Sequence, residues 1–579
     1  MNYAPASKRC IKSLYKKHPR GAGNELPIGD SKPRKRVMQE MPYTKEDYER
    51  EMREFTWDIP QNYNIVDVVE AHAAKHPDKV AVFWEDVAGN KREVTFSELA
   101  SKARRFGAGL MKLGVKKGDP VLHVLPRLPE ALMAQLGTFV AGGVAVPCSE
   151  MLKPKEITYR SNVSGGTVIV ADESTAPAVE EAAKDSPLRT MVLIGGKRDG
   201  WVSFDDLVDE NPADGPKVPL TADDPMTINF TSGTTGNAKP VVHKHRWMYV
   251  HNCITGRYWW DASSDDVIWA TTAPGWAKWY WSPIGVALTN GASQLMYNGR
   301  FDGERYLELM ERYRITKLCA TPTEYRLFAQ LPDMSKHNLS LTDAVSAGEP
   351  LNVEPIQAFK RAFGVTIRDG YGQTESVCLV CNYPGLEVKP GAMGKPTPGT
   401  GVTLIDEQGN PVKKGEVGEI ALRPDSPAIF DGYWKAPELD KEAFSGGWYR
   451  TGDLARMDED GYLFFEGRAD DVIITSGYRI GPFEVEDALV SHPAVVEAAV
   501  VAAPNRDRGE IVKAFVILAE GYSPSDDLVK DLQNHVKSVT APYKYPRAIE
   551  FVKELPKTTS GKIKRAVLKR REWEGWDRH

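Results

Sequence analysis

The 579-residue chain is too long for one compact core, because domains usually span about 100–200 residues, and we expect about three to five structural units. Hydrophobic residues make up 41% and charged residues 26%, which is typical of a globular protein and excludes global disorder. A net charge of −5 argues against a protein that coats nucleic acid, and six cysteines in so long a chain favour a reducing compartment.

The chain begins with a basic segment, residues 1–41, that contains no acidic residue before Glu25. A basic, acid-poor start is typical of a mitochondrial transit peptide, but lysine outnumbers arginine here, which favours a solvated tail. We therefore expect a cytoplasmic protein, or one of the mitochondrial matrix if the tail is a transit peptide. A polar helix is predicted to follow from Tyr43 to Phe55.

The uncharged stretch from Ala131 to Ser149 requires a check for a membrane span. Three glycines and Pro147 interrupt it, and acidic residues bound it on both sides. It therefore predicts a buried helix followed by a short core strand, AVPC, and no integral membrane segment.

Helical patterns alternate with short β-branched runs from Asn64 to near Val402, as in VDVVEAHAAKH followed by KVAVFWE. This alternation predicts an α/β fold of mostly parallel sheets flanked by helices. Residues 402–468 instead predict antiparallel strands around the turn DEQGN. Residues 469–579 predict a small α+β domain with its own core. The expected division is a tail (1–41), a large domain (42–468, mainly β from 402) and a small C-terminal domain (469–579).

The segment TSGTTGNAK, from Thr231 to Lys239, directly follows a predicted apolar strand ending in INF. Its glycines allow the backbone N–H groups to turn towards a ligand, its hydroxyls add donors, and Lys239 supplies a charge for a polyphosphate. It lacks the Gly-Lys-Ser/Thr ending of a Walker loop. A flexible linker is the alternative on composition alone, and the preceding buried strand disfavours it.

The motifs along the chain resemble those of the adenylate-forming superfamily, which contains acyl-CoA synthetases, luciferases and the adenylation domains of peptide synthetases. TSGTTGNAKP is similar to its signature loop, and six motifs follow the order of the family between residues 65 and 571. AGEP at 347–350 resembles the adenine-binding segment of the family, and YGQTE at 371–375 resembles its magnesium-binding segment. YRTGD at 449–453 resembles the ribose-binding motif, and GRADD with SGYRI, at 467–480, resembles the hinge region. PKTTSGK at 556–562 resembles the loop of the catalytic lysine.

The resemblance implies the residues that bind ATP and metal. Glu375 would hold Mg²⁺, Thr374 would contact the α-phosphate, and Asp453 would accept from the ribose hydroxyls. Arg468 would be a second ribose and phosphate contact, or alternatively a surface partner of nearby acids. The complete set of ATP-binding candidates is Thr231, Ser232, Gly233, Thr234, Thr235, Gly236, Lys239, Gly348, Glu349, Pro350, Asp369, Gly370, Tyr371, Gly372, Gln373, Asp453 and Arg468.

The resemblance also assigns Lys562 as the catalytic lysine and Asp470 as the hinge. A lysine in the loop TTSGKIKR can reach the carboxylate oxygen and the α-phosphate together, which stabilises charge as the adenylate forms. Composition alone would allow a solvated basic tail there. The C-terminal domain resembles a swinging lid, so Asp470→Pro is predicted to spare adenylate formation and to impair thioester formation.

Several stretches resemble medium-chain acyl-CoA synthetases most closely: PGW at 274–276, LEVKPGAMGKPTPG, RGEIVKAFVILA and APYKYPRAIEFV. CoA would then pass Ser476, Gly477 and Tyr478, with nucleotide contacts from Arg508, Tyr545 and Arg547. Arginines suit phosphate, and a glycine lets the pantetheine arm pass close to the backbone.

The acyl pocket is expected to include Trp276, Trp279, Thr323, Gly348 and Gly372. Bulky walls favour a short, branched or aromatic acid over a long fatty chain, unless these rings are core residues that face away. The pair Ala273-Pro274 departs from the family pattern and leaves the substrate class open.

Two further features allow alternatives. Cys378-x-x-Cys381 lacks a second cysteine pair, so we interpret it as structural. His243 lies just beyond the phosphate loop and either lines the site or is a satisfied loop histidine.

The implied function is a two-step acid–thiol ligase. ATP and a carboxylic acid give an acyl-adenylate and pyrophosphate, and CoA then gives acyl-CoA and AMP. The nearest alternative passes the acyl group to a carrier-protein pantetheine, and a non-catalytic nucleotide-binding regulator is disfavoured by Lys562, Glu375 and Asp453. Expected partners are the acid, ATP with Mg²⁺, and CoA, for a monomer or homodimer without nucleic acid.

Overall fold

The structure, a computed structural model, describes residues 43–231, 238–349, 351, 353–469, 471–475, 478–506, 508–558, 562–574 and 576. These residues form three β-sheets with helices packed against them, so the predicted α/β class is confirmed. Within these ranges, no helix combines the length and the apolar character that crossing a membrane requires.

The strands of the described residues are, in chain order, β1 (Val80–Asp86), β2 (Lys91–Thr95), β3 (Pro120–Val124), β4 (Val144–Cys148), β5 (Val168–Asp172), β6 (Thr190–Ile194), β7 (Val202–Ser203), β8 (Pro225–Phe230), β9 (Pro240–Lys244), β10 (Val267–Ala270), β11 (Ser293–Asn298), β12 (Lys317–Ala320), β13 (Asp343–Ala347), β14 (Ile367–Tyr371), β15 (Val380–Cys381), β16 (Ala392–Pro396), β17 (Thr403–Ile405), β18 (Val417–Leu422), β19 (Phe444–Ser445), β20 (Trp448–Met457), β21 (Leu463–Arg468), β22 (Ile473–Thr475), β23 (Tyr478–Ile480), β24 (Val495–Asn505), β25 (Gly509–Leu518) and β26 (Ala548–Phe551).

The α-helices of the described residues are α1 (Lys45–Glu54), α2 (Ile65–Lys75), α3 (Phe96–Lys112), α4 (Pro129–Val140), α5 (Pro154–Ser164), α6 (Ala176–Ala183), α7 (Phe204–Asp209), α8 (Arg246–His251), α9 (Ala277–Trp279), α10 (Gly303–Arg312), α11 (Pro322–Ala329), α12 (Val353–Phe363), α13 (Pro437–Ala443), α14 (Pro482–Val490), α15 (Asp526–Val539) and α16 (Arg565–Trp573). Two π-helical segments, Asn252–Trp259 and Tyr280–Leu288, continue α8 and α9, and a short 3₁₀ turn covers Pro542–Lys544.

The first sheet has the strand order β7-β6-β5-β3-β4-β8-β9 and is parallel except for the β8–β9 pair. The predicted core helix and strand at 131–149 are confirmed as α4 and β4. All five residues of β4 are buried, and so is all of α4 except Glu130. A helix buried on every side reads as an apolar run without being a membrane span.

The second sheet has the order β17-β18-β20-β21-β16-β15-β14-β13-β12-β10-β11-β1-β2. Its central strands β14, β13, β12, β10, β11 and β1 are parallel, and antiparallel pairing begins at β15. The antiparallel unit predicted from 402 onward is confirmed by the register of Thr403 opposite Ala421. It extends the parallel sheet without a break, so both parts share one continuous hydrophobic cluster.

The C-terminal part forms its own sheet, with the order β23-β22-β25-β24 and β26 parallel to β25. Helices α14, α15 and α16 cover it, as the α+β pattern predicted. Alternate residues of β24 and β25 enter two separate clusters, one on each face of the sheet. This unit therefore has a core of its own.

Candidate active site

Eight of the predicted site residues lie just beyond the carboxyl ends of parallel strands. Thr231 follows β8, Thr323 follows β12, Gly348 and Glu349 follow β13, and Gly372 to Glu375 follow β14. Ligands of open α/β sheets bind in the crevice at that edge. The sheet topology therefore brings motifs that are up to 144 residues apart, from Thr231 to Glu375, to one side of the molecule.

Asp453, on β20, is the centre of a buried hydrogen-bond network. Its Oδ2 accepts from the hydroxyl of Tyr371 (2.6 Å) and from Nε2 of Gln373 (2.6 Å). The guanidinium of Arg468 donates to Oδ1 (3.2 Å) and to the carbonyl of Thr451 (3.1 Å). Asp453 is 6% exposed, so its orientation is set by these partners before any ligand arrives.

The neighbours of Asp453 are fixed in turn. Tyr449 donates its hydroxyl to Oε1 of Gln373 (2.7 Å), and Gln373 donates to the carbonyl of Thr451 (2.8 Å). Burial and the adjacent Asp453 carboxylate raise the pKa of Tyr371 well above its usual value, so this phenol remains a donor. The segments YGQTE and YRTGD thus form one unit although they are far apart in sequence.

Glu375 lies at the opening of the site with Tyr433 and Lys239. The hydroxyl of Tyr433 donates to Oε1 of Glu375 (3.1 Å), and Nζ of Lys239 lies 5.6 Å from the centre of the Tyr433 ring. Burial raises the pKa of Glu375, while the hydrogen bond from Tyr433 and the charge of Lys239 act in the opposite direction. A cation beside this carboxylate would stabilise its charged form and lower its pKa.

His243 supports the segment that carries Thr374. Its Nε2–H donates to the carbonyl oxygen of Thr374 (2.7 Å), and its ring stacks on Trp247 at 3.5 Å with an interplanar angle of 4°. Burial lowers the pKa of His243 to about 3, so the imidazole is neutral at ordinary pH. The side chain is both satisfied and next to the site, which combines the two interpretations of the sequence.

The predicted adenine side is formed by Gly348 and Glu349. Glu349 accepts from the hydroxyl of Thr323 (2.8 Å) and from Arg326 (3.2 Å). Gly348 has φ +104°, a backbone conformation that favours glycine, and the space where a Cβ would stand is open. Thr323 therefore orients an acidic side chain beside this turn.

Two tryptophans from the π-helical segments contact the glycines of β14 and the turn after it. A Cβ on Gly372 would lie 2.3 Å from Cη2 of Trp281, and one on Gly370 would lie 2.6 Å from Nε1 of Trp259. The two rings meet edge to face at 6.3 Å. No other residue type fits at either glycine without moving a tryptophan.

The predicted pocket residues Trp276 and Trp279 occupy different positions. Trp279 is buried and donates Nε1–H to Oε1 of Gln135 on α4 (2.9 Å), so its ring packs in the core of the large domain. Trp276 is half-buried. The structure thus brings Trp281 and Trp259, and not Trp279, against Gly372 and Gly370.

Lys278 is a buried cation near β12 and β14. Its Nζ is inaccessible to solvent and interacts with the Cys319 thiol through its charge and a side-chain hydrogen bond. Its charge opposes the rise that burial causes in the pKa of the Cys319 thiol and of Asp369. Asp369 accepts from the N–H of Gly370 (2.9 Å). Cys378 and Cys381 are also buried as free thiols, and burial raises the pKa of Cys378 well above its usual value.

Lys562 lies on the C-terminal unit with an exposed side chain. Its N–H donates to the hydroxyl of Thr558 (3.1 Å), and the N–H of Thr558 donates to the carbonyl of Lys562 (2.7 Å). These two bonds hold Thr558 and Lys562 together shortly before α16 begins, and the Lys562 side chain remains exposed to solvent.

The predicted CoA contacts Tyr545 and Arg547 are adjacent in space. Arg547 donates to the hydroxyl of Tyr545 (2.9 Å), and the charges of Arg547 and Lys537 lie 4.9 and 4.3 Å from the centre of the Tyr545 ring. Arg508 is exposed at the start of β25. On this surface, the positive side chains of Lys537 and Arg547 pack against the ring of Tyr545.

The predictions for Ser232, Gly233, Thr234, Thr235, Gly236, Pro350, Asp470, Ser476 and Gly477, the side chain of Tyr478 and the basic tail lie outside the described residues.

Four residues of the site, Tyr433, Tyr449, Trp259 and Lys278, are not among those predicted from the sequence. Tyr449 begins the quoted motif YRTGD, so it had a signal. Lys278 follows the quoted PGW segment by two positions, and an ammonium within an aromatic stretch is itself a signal. Tyr433 and Trp259 are distant in sequence from every motif used, and only the fold brings them to the site.

Comparison with known proteins agrees with this arrangement. The sequence model described as AMP-binding enzyme matches residues 69–434, and the one described as AMP-binding enzyme C-terminal domain matches residues 484–562. The chain belongs to the AMP-binding enzyme family. It is 47% identical over 517 residues to an uncharacterized acyl-CoA ligase of Bacillus subtilis (strain 168), covering 89% of this chain and 97% of the relative.

Two other family members are similar over nearly their full length. Mitochondrial acyl-coenzyme A synthetase ACSM3 of Rattus norvegicus is 40% identical, covering 92% of this chain and 94% of the relative. The crystal structure of the anthranilate CoA ligase AuaEII in complex with anthranoyl-AMP superposes with a TM-score of 0.81 at 32% identity, covering 89% of this chain and 98% of that structure. The family includes ligases that form acyl-adenylates.

Proposed function

We propose that this family member is an acyl-CoA synthetase of the medium-chain type that adenylates a carboxylic acid with ATP and transfers the acyl group to CoA. The observation that carries the proposal is the network around Asp453, which links the Tyr371–Glu375 segment to Arg468 at the carboxyl edge of the parallel strands. A buried carboxylate with a neighbouring guanidinium suits a nucleotide, because it accepts from ribose hydroxyls while the cation faces a phosphate.

The residues proposed for adenylation act mainly by placing positive charge and hydrogen-bond donors next to the negatively charged reactants. The reaction brings the substrate carboxylate to a triphosphate, so positioning and neutralisation of negative charge supply most of the rate enhancement. Lys239 and the loop after β8 would bind phosphate, Thr374 would contact the α-phosphate, and Lys562 would approach the carboxylate oxygen and the α-phosphate. His243 fixes the backbone of Thr374, which orients its hydroxyl.

Glu375 fits the requirements of a Mg²⁺ ligand. Mg²⁺ in nucleotide sites usually binds one or two carboxylates, with water and phosphate oxygens completing its shell. The carboxylate oxygen Oε1 already accepts from Tyr433, and the raised pKa of Glu375 falls when a cation is nearby. The metal would neutralise phosphate charge when bound, and Tyr433 holds the carboxylate in place for it.

We propose CoA as the acyl acceptor, with contacts from Ser476, Gly477, Tyr478, Arg508, Tyr545 and Arg547. The cluster of Arg547 and Lys537 on Tyr545 supports this because phosphates bind to planar guanidinium groups and lysines. A carrier-protein pantetheine is the alternative acceptor. We also propose that the chain divides near residue 468 and that the C-terminal unit rotates about Asp470 between the two half-reactions.

The acid is proposed to be short to medium in length, branched or aromatic. Trp281 stands against Gly372 and supplies a bulky wall beside the nucleotide-binding strand, and the fully buried Trp259 ring packs edge to face behind it. Such a wall leaves little length for a linear chain and offers flat surfaces to a branched or aromatic group. AuaEII, which shares 32% identity, acts on an aromatic acid, anthranilate.

A polar acid is a second candidate because of Lys278. Its buried Nζ interacts with the Cys319 thiol and with the charge of Asp369, and a ligand oxygen beside it would be a stronger acceptor than the thiol. An acid with a hydroxyl, amino or second carboxylate group would supply an acceptor there. Lys278→Met is expected to favour apolar over polar acids if this candidate is correct.

The decisive test is pyrophosphate release with a panel of acids, with and without CoA. The panel contains acetate to laurate, isobutyrate, 2-methylbutyrate, benzoate, anthranilate and malonate. We expect multiple turnovers only with CoA and a maximum on branched or aromatic acids of moderate size. A stoichiometric burst that CoA does not extend would favour the carrier-protein acceptor, and no release with any acid would contradict the proposal.

The cellular location follows from the fate of residues 1–41. We propose the cytoplasm, with the mitochondrial matrix as the alternative if this basic segment directs import. Fusion of residues 1–41 to a fluorescent reporter tests the alternative directly, since a solvated tail leaves the reporter in the cytoplasm.

A further inference from the structure

Arg368 lies on β14, one residue before the segment Asp369–Glu375. It is 5% exposed, and its guanidinium reaches three different partners. One nitrogen donates to the carbonyl of Asn382 (2.6 Å), a second donates to the carbonyl of Trp259, and Nε donates to Oδ1 of Asp343 (3.1 Å). Arg368 therefore ties three chain segments to one strand.

The bond to Trp259 is reciprocal. Trp259 is the last residue of the π-helical segment Asn252–Trp259, and its indole Nε1–H donates to the backbone carbonyl of Arg368 (3.3 Å). The guanidinium therefore binds the main chain of Trp259 while the indole binds the main chain of Arg368. The ring between these two bonds is the one that fills the space beside Gly370.

Asp343 orients the guanidinium. It lies at the start of β13, the strand paired with β14, and its carboxylate forms an ion pair with Arg368. Lys317, on β12, lies 3.8 Å from the same carboxylate. A planar guanidinium held by a carboxylate on one edge presents its remaining N–H groups in fixed directions, which a lysine ammonium does not do.

We propose that Arg368 is a positioning residue for acid specificity. Through the Asp343–Arg368–Trp259 clamp it fixes the buried Trp259 ring, on which the Trp281 ring beside Gly372 packs edge to face. The inference rests on the proposed function, since it takes the Trp281 ring, which Trp259 supports, as a wall of the acyl pocket of an acid-activating enzyme. It adds a physical link between the strand that precedes the nucleotide motif and the wall that meets the acid.

If the clamp is weakened, we expect the selectivity among acids to change, and we do not expect an equal loss of activity with all acids. A wall whose anchor is lost can move by the width of a methylene group, and one methylene in an apolar pocket changes discrimination by ~10-fold or more. Asp453, Gln373 and Tyr449, which bind one another and not Arg368, keep the ATP side in place.

The experiment compares Arg368→Lys with the wild-type full-length protein. For each acid of the panel, kcat and KM are measured, together with KM for ATP at saturating acid. We expect the ratio of kcat/KM between the preferred acid and the acid one methylene longer to fall by ~10-fold, mainly through KM for the acids. KM for ATP is expected to change by less than about threefold.

Asp343→Asn and Glu85→Gln complete the design. Asp343→Asn keeps an acceptor for Nε of Arg368 and leaves the bond from Arg368 to Trp259. It is therefore expected to change the kcat/KM ratio between the two acids in the same direction as Arg368→Lys, but by a smaller factor. This variant replaces Arg368→Lys in the test if Arg368→Lys does not fold. Glu85 is a buried carboxylate that accepts from Arg305, Arg312 and Tyr313, away from the clamp. Glu85→Gln is expected to lower thermal stability and to leave the acid ratio unchanged.

The outcomes separate the inference from the proposed function. If wild-type protein turns over acids but Arg368→Lys and Asp343→Asn keep its acid ratios within about twofold, the clamp does not set specificity and the proposed function stands. An equal loss for all acids and for ATP would likewise overturn the inference. If the wild-type protein releases no pyrophosphate with any acid, the failure belongs to the proposed function.

Discussion

Asp453 and Lys562 are the two charged residues on which the proposed adenylation depends, and their surroundings are opposite. Asp453 is buried in the large domain and accepts hydrogen bonds from three side chains, whereas Lys562 is exposed on the C-terminal unit, where its backbone N–H and carbonyl bind Thr558. Folding has already desolvated and oriented the carboxylate. The lysine keeps its hydration and its rotamer freedom until it meets a substrate.

The difference indicates that binding and chemistry are assigned to differently prepared groups. A preorganised acceptor costs no reorganisation when ATP binds, which favours affinity. An exposed lysine on a separate unit can leave after the adenylate forms, which the second half-reaction with CoA requires if the unit rotates. Changes at the two residues should therefore affect different kinetic constants.

Lys562→Ala is expected to have the largest effect. Removing the one cation proposed to approach both the carboxylate and the α-phosphate should lower acyl-adenylate formation by ~10²-fold or more, with little change in KM for ATP. Pyrophosphate release in a single turnover measures this step. Lys564→Ala, which removes another exposed cation two residues away, is the control and should retain near-normal rates. Near-normal adenylate formation in Lys562→Ala would refute the assigned role.

Asp453→Asn should act on binding. The amide has one acceptor oxygen and no charge, so it cannot serve Tyr371, Gln373 and Arg468 together. We expect kcat/KM for ATP to fall by about 10²-fold, or about 2.7 kcal/mol, mainly through KM. Asp458→Asn, near the end of the same β20–β21 hairpin and paired with Lys389 (2.7 Å), is the matched control. A loss confined to kcat would contradict the view of Asp453 as a preorganised binding group.

Trp281→Leu tests whether the large domain is preorganised for the acid as well. Loss of the indole opposite Gly372 should enlarge the pocket and shift relative kcat/KM by ~10-fold towards longer acids. Trp201→Leu, a half-buried tryptophan that donates to Glu180 (3.0 Å) on the first sheet, is the control. Unchanged acid ratios in Trp281→Leu would place that ring outside the pocket.

The last prediction concerns the pH dependence of stability and the buried histidines of the large domain. Burial lowers the pKa of His123, His243 and His245 to about 3, against about 6.5 when unfolded. The folded state therefore stays neutral between these values while the unfolded state binds protons. Stability is complete above pH ~6.5 and falls as the pH decreases towards 3, by at most about 1.4 kcal/mol per histidine and pH unit.

Urea unfolding of the large domain at pH 7.5 and 5.5 measures this dependence. The midpoint should be lower at pH 5.5, and His123→Gln should reduce the difference between the two pH values. His123 is suited to this test because it lies on β3 within the first sheet and shares its recorded hydrogen bond with Thr138 (3.1 Å). An unchanged pH dependence in the variant would mean that His123 is not held neutral by the fold.

Much of the fold and site could be predicted from local sequence. The motif YGQTE marks a strand end followed by a turn with a carboxylate, whereas YRTGD is identified by its resemblance to the ribose motif of the family and lies within strand β20, not in a turn. The core helix α4 and strand β4 were likewise evident from an uncharged run broken by glycine and proline. In each case the residues that determine the local structure are adjacent in the chain.

The contacts between segments could not be predicted in this way. Trp279 and Trp281 are two residues apart in the same aromatic run, and only the register of the π-helical segment places one ring on Gln135 and the other on Gly372. Tyr433 reaches Glu375 because a segment beside β9 crosses the end of β14. A one-residue shift in either segment would select a different side chain.

The sequence by itself therefore determined the α/β class, the order of the motifs and the chemical type of the groups they supply. Tertiary structure alone decided which of the many tryptophans face the glycines of β14, which tyrosine holds Glu375, and that Arg368 and Asp343 clamp Trp259. The physical reason is that the chemistry of a motif depends on residues that are neighbours in the chain. Packing partners depend instead on strand order and helix register, and they can be a hundred residues or more apart, such as the 109 residues between Trp259 and Arg368.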